Sequence, residues 1–124
     1  MIVLVDTSVW IRFLANRAPY ASEMDKLLSR DEVSGHDFVY GELLIGDTGG
    51  GRKQMLANFE QMHQAPIVAH HDVVAFVRER RLCGRGVGWI DAHLLASALV
   101  GRLKLWTTDR RLATLAKELG AAYD

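Results

Sequence analysis

A single cysteine, Cys83, excludes an intrachain disulfide and any zinc site built on cysteines. That scarcity fits a reducing compartment, and a cytoplasmic location is expected. Long apolar runs are also missing. Residues 2–5 are apolar, but Asp6 ends the run at once, and no later stretch reaches membrane length without a charge. Neither a signal peptide nor a membrane span is expected. Excess charge of one sign is absent too, with 15 basic and 15 acidic residues among 124. A broad basic face for nucleic acid is therefore not expected. Nothing in the chain is repetitive or biased toward disorder.

What is present is an ordinary globular composition, 49% apolar and 24% charged, of a length suited to one domain over 1–124 with its own core. Lysine is scarce among the bases: four Lys stand against eleven Arg. The arginine fork grips phosphate oxygens in pairs, so local patches could serve a phosphate-bearing ligand; a GC-rich genome gives the same bias.

Hydrophobic spacing divides the chain into alternating elements. Ile2, Val3, Leu4 and Val5 read as a strand buried on both faces. Asp6, Thr7 or Ser8 then caps a helix carrying Val9, Trp10, Phe13 and Leu14. A second helix follows Pro19, a short strand lies over 32–35, and Asp37 is the expected N-cap of a helix bearing Leu43 and Leu44. Three glycines at 49–51 mark a turn. A helix over 52–63, a strand over 66–69 and a helix over 73–81 capped by Asp72 come next. A glycine-rich loop leads to a strongly apolar helix over 90–100, then a strand over 103–107. Asp109 caps the helix over 110–119, Gly120 ends it, and residues 121–123 suit an edge strand. The alternation predicts an α/β fold: a central parallel sheet of four to five strands with helices on both faces. Ligands of such sheets lie at the carboxyl ends of the strands.

The acids fall where that rule matters. Asp6 follows the first strand and Asp109 follows the late one; if these strands are neighbours, both acids face one crevice. Asp91 opens the apolar helix over 90–100, and Glu42 interrupts an equally apolar stretch. A charge in such surroundings turns to water, a partner or a metal. Four acids in one crevice repel each other, and a divalent cation relieves the conflict. Oxygen-only ligation suits Mg²⁺ or Mn²⁺, ions that support phosphoryl chemistry. Each acid alone also has an ordinary role, as turn, cap, dipole partner or solvated helix residue; their combination and order give them weight.

Four segments carry a family resemblance. Val-Leu-Val-Asp-Thr-Ser-Val-Trp-Ile at residues 3–11, Tyr-Gly-Glu-Leu-Leu-Ile-Gly at 40–46, Trp-Ile-Asp-Ala-His-Leu-Leu-Ala-Ser-Ala at 89–98 and Leu-Trp-Thr-Thr-Asp-Arg-Arg-Leu at 105–112 resemble, in order, the motifs of PIN-domain nucleases. In size and motif style the chain is similar to the VapC toxins of toxin–antitoxin pairs. The resemblance implies a PIN-like fold whose first and fourth strands are neighbours. It implies an endoribonuclease that hydrolyses RNA with a metal-activated water, leaving a 5′-phosphate and a 3′-hydroxyl. It also implies a homodimer and a VapB-like antitoxin whose tail occupies the active-site groove. Carried over by motif, Asp6, Asp91 and Asp109 hold the metal directly or through water, and Glu42 positions a water or a second ion. Thr107 matches a position that often holds Thr or Ser near the metals. His93 departs from the pattern, standing where many relatives have a small or apolar residue; it reads as packing or surface.

The remaining candidates divide between function and structure. Arg78, Arg80, Arg81 and Arg85 flank the glycine loop and either steer RNA or form a solvated face. Arg110 and Arg111 are placed to contact RNA or the antitoxin, or to pair with the acids. His63, His70 and His71 lack regular spacing and read as surface residues. Trp106 reads as core and Trp10 as core or dimer interface; Trp89, beside Asp91, is the best placed to stack a base, although core or interface burial is the favoured reading there too. A phosphoacceptor receiver is excluded because Asp6 stands alone after the first strand and Lys104 precedes the late strand's end. A catalytically silent PIN scaffold and a PIN-like nuclease acting on DNA are the alternatives.

Overall fold

The computed structural model describes residues 1–46 and 52–124. In order along the chain these form β1 (Val3–Val5), α1 (Thr7–Leu14), α2 (Tyr20–Ser29), β2 (Val33–Gly35), α3 (Asp37–Ile45), α4 (Arg52–Phe59), β3 (His63–Gln64), α5 (His70–Glu79), α6 (Trp89–Gly101), β4 (Lys104–Trp106) and α7 (Arg110–Glu118). The glycine turn expected at 49–51 lies outside the described residues. No helix among them is long and apolar enough to cross a membrane.

The four strands form one parallel sheet in the order β3-β2-β1-β4. β1 is central, and its three residues are wholly buried, as an apolar, β-branched run requires when helices cover both faces of the sheet. Its register with β4 pairs Val3 with Lys104, Leu4 with Leu105 and Val5 with Trp106. The chain builds outward from β1 to β2 and β3, then returns to place β4 on the other side of β1. That reversal is a topological switch point, and it opens a crevice beyond the carboxyl ends of β1 and β4. The Asp6 N–H donates to the carbonyl of Trp106 at 2.9 Å, carrying the pairing one residue into the crevice.

Helix α6 is apolar nearly all round, and Ala92 through Ala98 are all buried, so it packs as an interior helix. The main core joins Leu94 and Leu95 to β1, to Trp10 of α1 and to Leu112 and Leu115 of α7. Trp10 packs against Phe59, with ring centroids 5.7 Å apart. Gly35 admits that ring: a Cβ there would come within 2.6 Å of Phe59. Trp106, expected in the core, is only half-buried and lies between the rings of Tyr20 and Tyr123.

Several local expectations need correction. The third strand is not at 66–69 but at β3, and the preceding helix ends at Phe59. Ala65 still donates to the carbonyl of Gly35, but Pro66 has no N–H to give and the chain leaves the sheet. Asp37 does not cap α3; His36 does, its Nδ1 accepting from the Phe38 N–H at 3.0 Å. Asp72 does not cap α5, which begins earlier at His70. Residues 121–123 add a single parallel bridge, Leu105 to Ala122, rather than a full strand. Asp109 does cap α7, and Gly120, at φ +75°, follows its end as a left-handed residue.

Candidate active site

Asp6 occupies the N-cap position of α1, yet its side chain makes no cap bond. Two hydroxyls hold it instead: Ser8 Oγ donates to Oδ2 at 2.7 Å and Thr107 Oγ1 donates to the same oxygen at 2.8 Å. Among the described residues no donor reaches Oδ1. Both hydroxyls are themselves fixed, because Ser8 Oγ accepts from the Thr108 N–H and Thr107 Oγ1 accepts from the Asp109 N–H, each at 3.1 Å. The ordinary explanation of Asp6 as a helix cap therefore fails. Its carboxylate is buried, clamped on one oxygen and open on the other.

The other acids arrive from separate elements. Glu42 projects from α3, and Thr7 at the start of α1 donates to its Oε1 at 2.7 Å. Asp91 stands in the first turn of α6, where the Gly88 N–H donates to its Oδ2 at 3.1 Å. Asp109 serves as cap with one oxygen, Oδ1, accepting from the Arg111 and Leu112 N–H groups. Asp6, Glu42 and Asp91 line one cavity of about 600 Å³, together with Thr7, Ser8, Ile11, Gly88, Trp89 and Ile90. Asp109 is not part of that lining. It is joined to it through Thr107, which bridges Asp6 and the Asp109 backbone.

The acids act on each other. Burial pushes the Asp91 carboxyl above the usual range; the Gly88 hydrogen bond opposes the rise, and the charges of Asp6, Asp109 and Glu42 add to it. A carboxyl whose folded value is raised above its unfolded 3.8 favours the fold at low pH and opposes it once pH passes the raised value. Asp91→Asn is thus expected to raise the melting temperature of the metal-free protein at neutral pH. Calorimetry in EDTA checks this, and an unchanged or lower value would mean that Asp91 carries no unrelieved repulsion.

Among the described residues no three His, Cys, Asp or Glu side chains are arranged to hold a metal ion by themselves. His63, His70 and His71 are exposed. His63 pairs with Ser34 and His71 with Asp72. His93, read from the sequence as packing or surface, is buried, with its Nδ1 unpartnered among the described residues.

Arginines flank the site. Arg85, Arg110, Arg111 and Thr114 line a shallow cavity of about 250 Å³. Arg85 is held by Glu118 at 2.6 Å. The Arg111 side chain lies across Gly86, which has φ +83° and no Cβ to block it. Arg78, Arg80 and Arg81 are exposed around the end of α5. Sequence reasoning missed Ser8 and Thr7 as supports of the acids, since a hydroxyl after an acid at a strand end has the signature of a cap.

Known proteins point the same way. The PIN-domain family model matches residues 3–118. Two proteins named Ribonuclease VapC32, from Mycobacterium tuberculosis strains CDC 1551 / Oshkosh and ATCC 25618 / H37Rv, are each 45% identical over 121 residues, covering 97% of this chain and 94% of theirs. With the four motifs, the placement of β1 beside β4 and similarity over nearly its whole length, the chain belongs to the PIN-domain family, in its VapC group.

Proposed function

We propose that the chain is a metal-dependent endoribonuclease, the toxin of a toxin–antitoxin pair. The observation that carries this is that Asp6, Glu42 and Asp91 line one cavity at the switch point, with Asp109 beside it, joined through Thr107 and acting on Asp91 by its charge. The names of the two relatives support RNA as the polymer.

The residues fit a hard divalent cation. Their donors are all oxygen, Asp6 keeps one oxygen open, and the charged form of Asp91 is disfavoured first by burial and then by the charges of Asp6, Asp109 and Glu42, which a cation would offset. Among the described residues no three such side chains close on one point, so water and substrate phosphate would have to complete the shell of a Mg²⁺ ion. When bound, Mg²⁺ or Mn²⁺ supplies Lewis acidity and lowers the pKa of a water. Asp6, Asp91 and Asp109 would hold it directly or through water, and Glu42 would orient a water or a second ion. Thr107 and Ser8 fix the Asp6 carboxylate so that its open oxygen does not swing away. Arg110 and Arg111 meet RNA phosphates beside the site, while Arg85 acts mainly through its pair with Glu118. Hydrolysis leaves a 5′-phosphate and a 3′-hydroxyl.

The same negative groove suits a basic tail, which is how a VapB-like antitoxin would silence the enzyme. A homodimer in the cytoplasm completes the reading. The test is incubation of labelled RNA and DNA pools with the purified chain and Mg²⁺ or Mn²⁺, with an EDTA control. Metal-dependent cuts in RNA alone are expected. Cuts in DNA would move the substrate, and none in either pool would favour a silent scaffold.

A further inference from the structure

The groove has two unlike walls. One carries the carboxylates. The other is apolar: Ile11, Trp89 and Ile90 line the same cavity as Asp6 and Asp91, and all three are exposed. An adjoining cavity of about 370 Å³ continues this wall past Phe38 and Ile45 and again includes Trp89. Of the three tryptophans, Trp10 is buried at 2% exposure and Trp106 is half-buried, while Trp89 is 43% exposed.

The Trp89 ring is held in place. His93 meets it edge-on with centroids 5.2 Å apart and planes at 84°. His70 packs against it at 5.3 Å. His93 is itself buried and wedged against Phe38 at 4.8 Å. A buried histidine thus supports an exposed indole. An aromatic ring fixed beforehand loses little freedom when a partner stacks on it.

We propose that Trp89 is the base-stacking residue of the substrate groove, holding an unpaired nucleobase next to the scissile phosphate. This rests on the ribonuclease reading above. Single-stranded nucleic acid is bound in this way elsewhere: bases stack on aromatic faces while the backbone follows charged groups or ions. A protein partner seated on this wall buries the adjacent carboxylates and must bring basic groups of its own, as the antitoxin tail would, to offset the desolvation cost. An RNA strand arrives with its own phosphates and cations beside them.

Steady-state cleavage of a single-stranded RNA pool and a fully paired one by wild type, Trp89→Ala, Trp89→Phe and Trp89→Leu, with Mg²⁺, tests the assignment. Trp89→Ala should raise KM for single strands roughly 5- to 150-fold, the loss of one base stack, with kcat within a few-fold of wild type. Phe should recover most of the loss and Leu should not, because only Phe offers a π-face. Circular dichroism shows that each variant is folded. An unchanged KM in Trp89→Ala, or equal rescue by Leu, overturns the assignment while leaving the nuclease standing. A loss that tracks dissociation of a dimer in sedimentation also overturns it, making this face a contact between copies. If wild type cuts no RNA, the nuclease reading fails and the stacking role fails with it.

Discussion

Asp6→Asn is expected to lower RNA cleavage by about three orders of magnitude without unfolding the chain. The figure follows from the several kcal/mol that a bound cation contributes to transition-state charge, at about 1.36 kcal/mol per tenfold in rate. The substitution is nearly isosteric, which matters because Asp6 is 8% exposed. Its remaining carbonyl oxygen can still accept from Ser8 and Thr107, both of which donate to one carboxylate oxygen in the wild type. The amide nitrogen then faces the groove, where a donor cannot ligate a cation. Removal of this charge also relieves Asp91, so the melting temperature should hold or rise. Cleavage rates at saturating Mg²⁺ and thermal melts of the same preparation check both halves. Activity within tenfold of wild type would remove Asp6 from the metal site; a lost transition would make it a structural residue.

Much of this site was legible from the residues. An acid just past the carboxyl end of a strand stands out, as do acids set inside apolar helices, and those positions single out Asp6, Asp109, Glu42 and Asp91 as candidates. Their convergence was not legible from periodicity, because it depends on β1 lying beside β4, a pairing of segments about a hundred residues apart. The family resemblance supplied that neighbour relation. The supports of the acids show the same limit. Thr107 and Asp6 are 101 residues apart, and nothing local distinguishes a hydroxyl that clamps a carboxylate from one that caps a helix. Arg85 looked free to meet RNA, but its partner, Glu118, lies 33 residues on.

Errors of element placement had local causes. The apolar stretch after Pro66 suggested a strand, yet pairing with β2 ends where the proline removes the donor. At α3 the acid Asp37 seemed the natural cap, but His36 is the extended residue before the helix, and a ring nitrogen does the work of a carboxylate. For His93 the sequence left packing and surface open, and the burial of α6 on nearly every side decides for packing.

His36→Ala should produce the largest loss of stability among substitutions at polar positions, about 3 kcal/mol, or about 10 °C in melting temperature. His36 is wholly buried where β2 passes into α3. Its Nδ1 accepts the Phe38 N–H, so the proton sits on Nε2, which donates to Ser97 Oγ at 3.0 Å. One ring thereby ties the start of the helix that carries Glu42 to the middle of the helix that carries Asp91. Alanine removes the cap, strands the buried Ser97 hydroxyl and leaves a void. His36→Asn keeps a good capping group and should recover part of the loss. Acid should act through the same ring. Burial pushes its pKa below 6.5; Asp37 opposes that shift and His93 adds to it. The neutral ring therefore contributes stability that is complete above the unfolded value of 6.5 and is lost as pH falls through the lower folded value. His93, lowered chiefly by burial, has the same sign, whereas Asp91 has the opposite one, so the signature of His36 is the difference between wild type and His36→Asn. Melts from pH 7.5 to pH 5 should show wild type losing stability below pH 6.5 faster than His36→Asn. Parallel curves would mean that the ring does not resist protonation, and the cap bond to Phe38 would then contribute little to holding Glu42 and Asp91 on one groove.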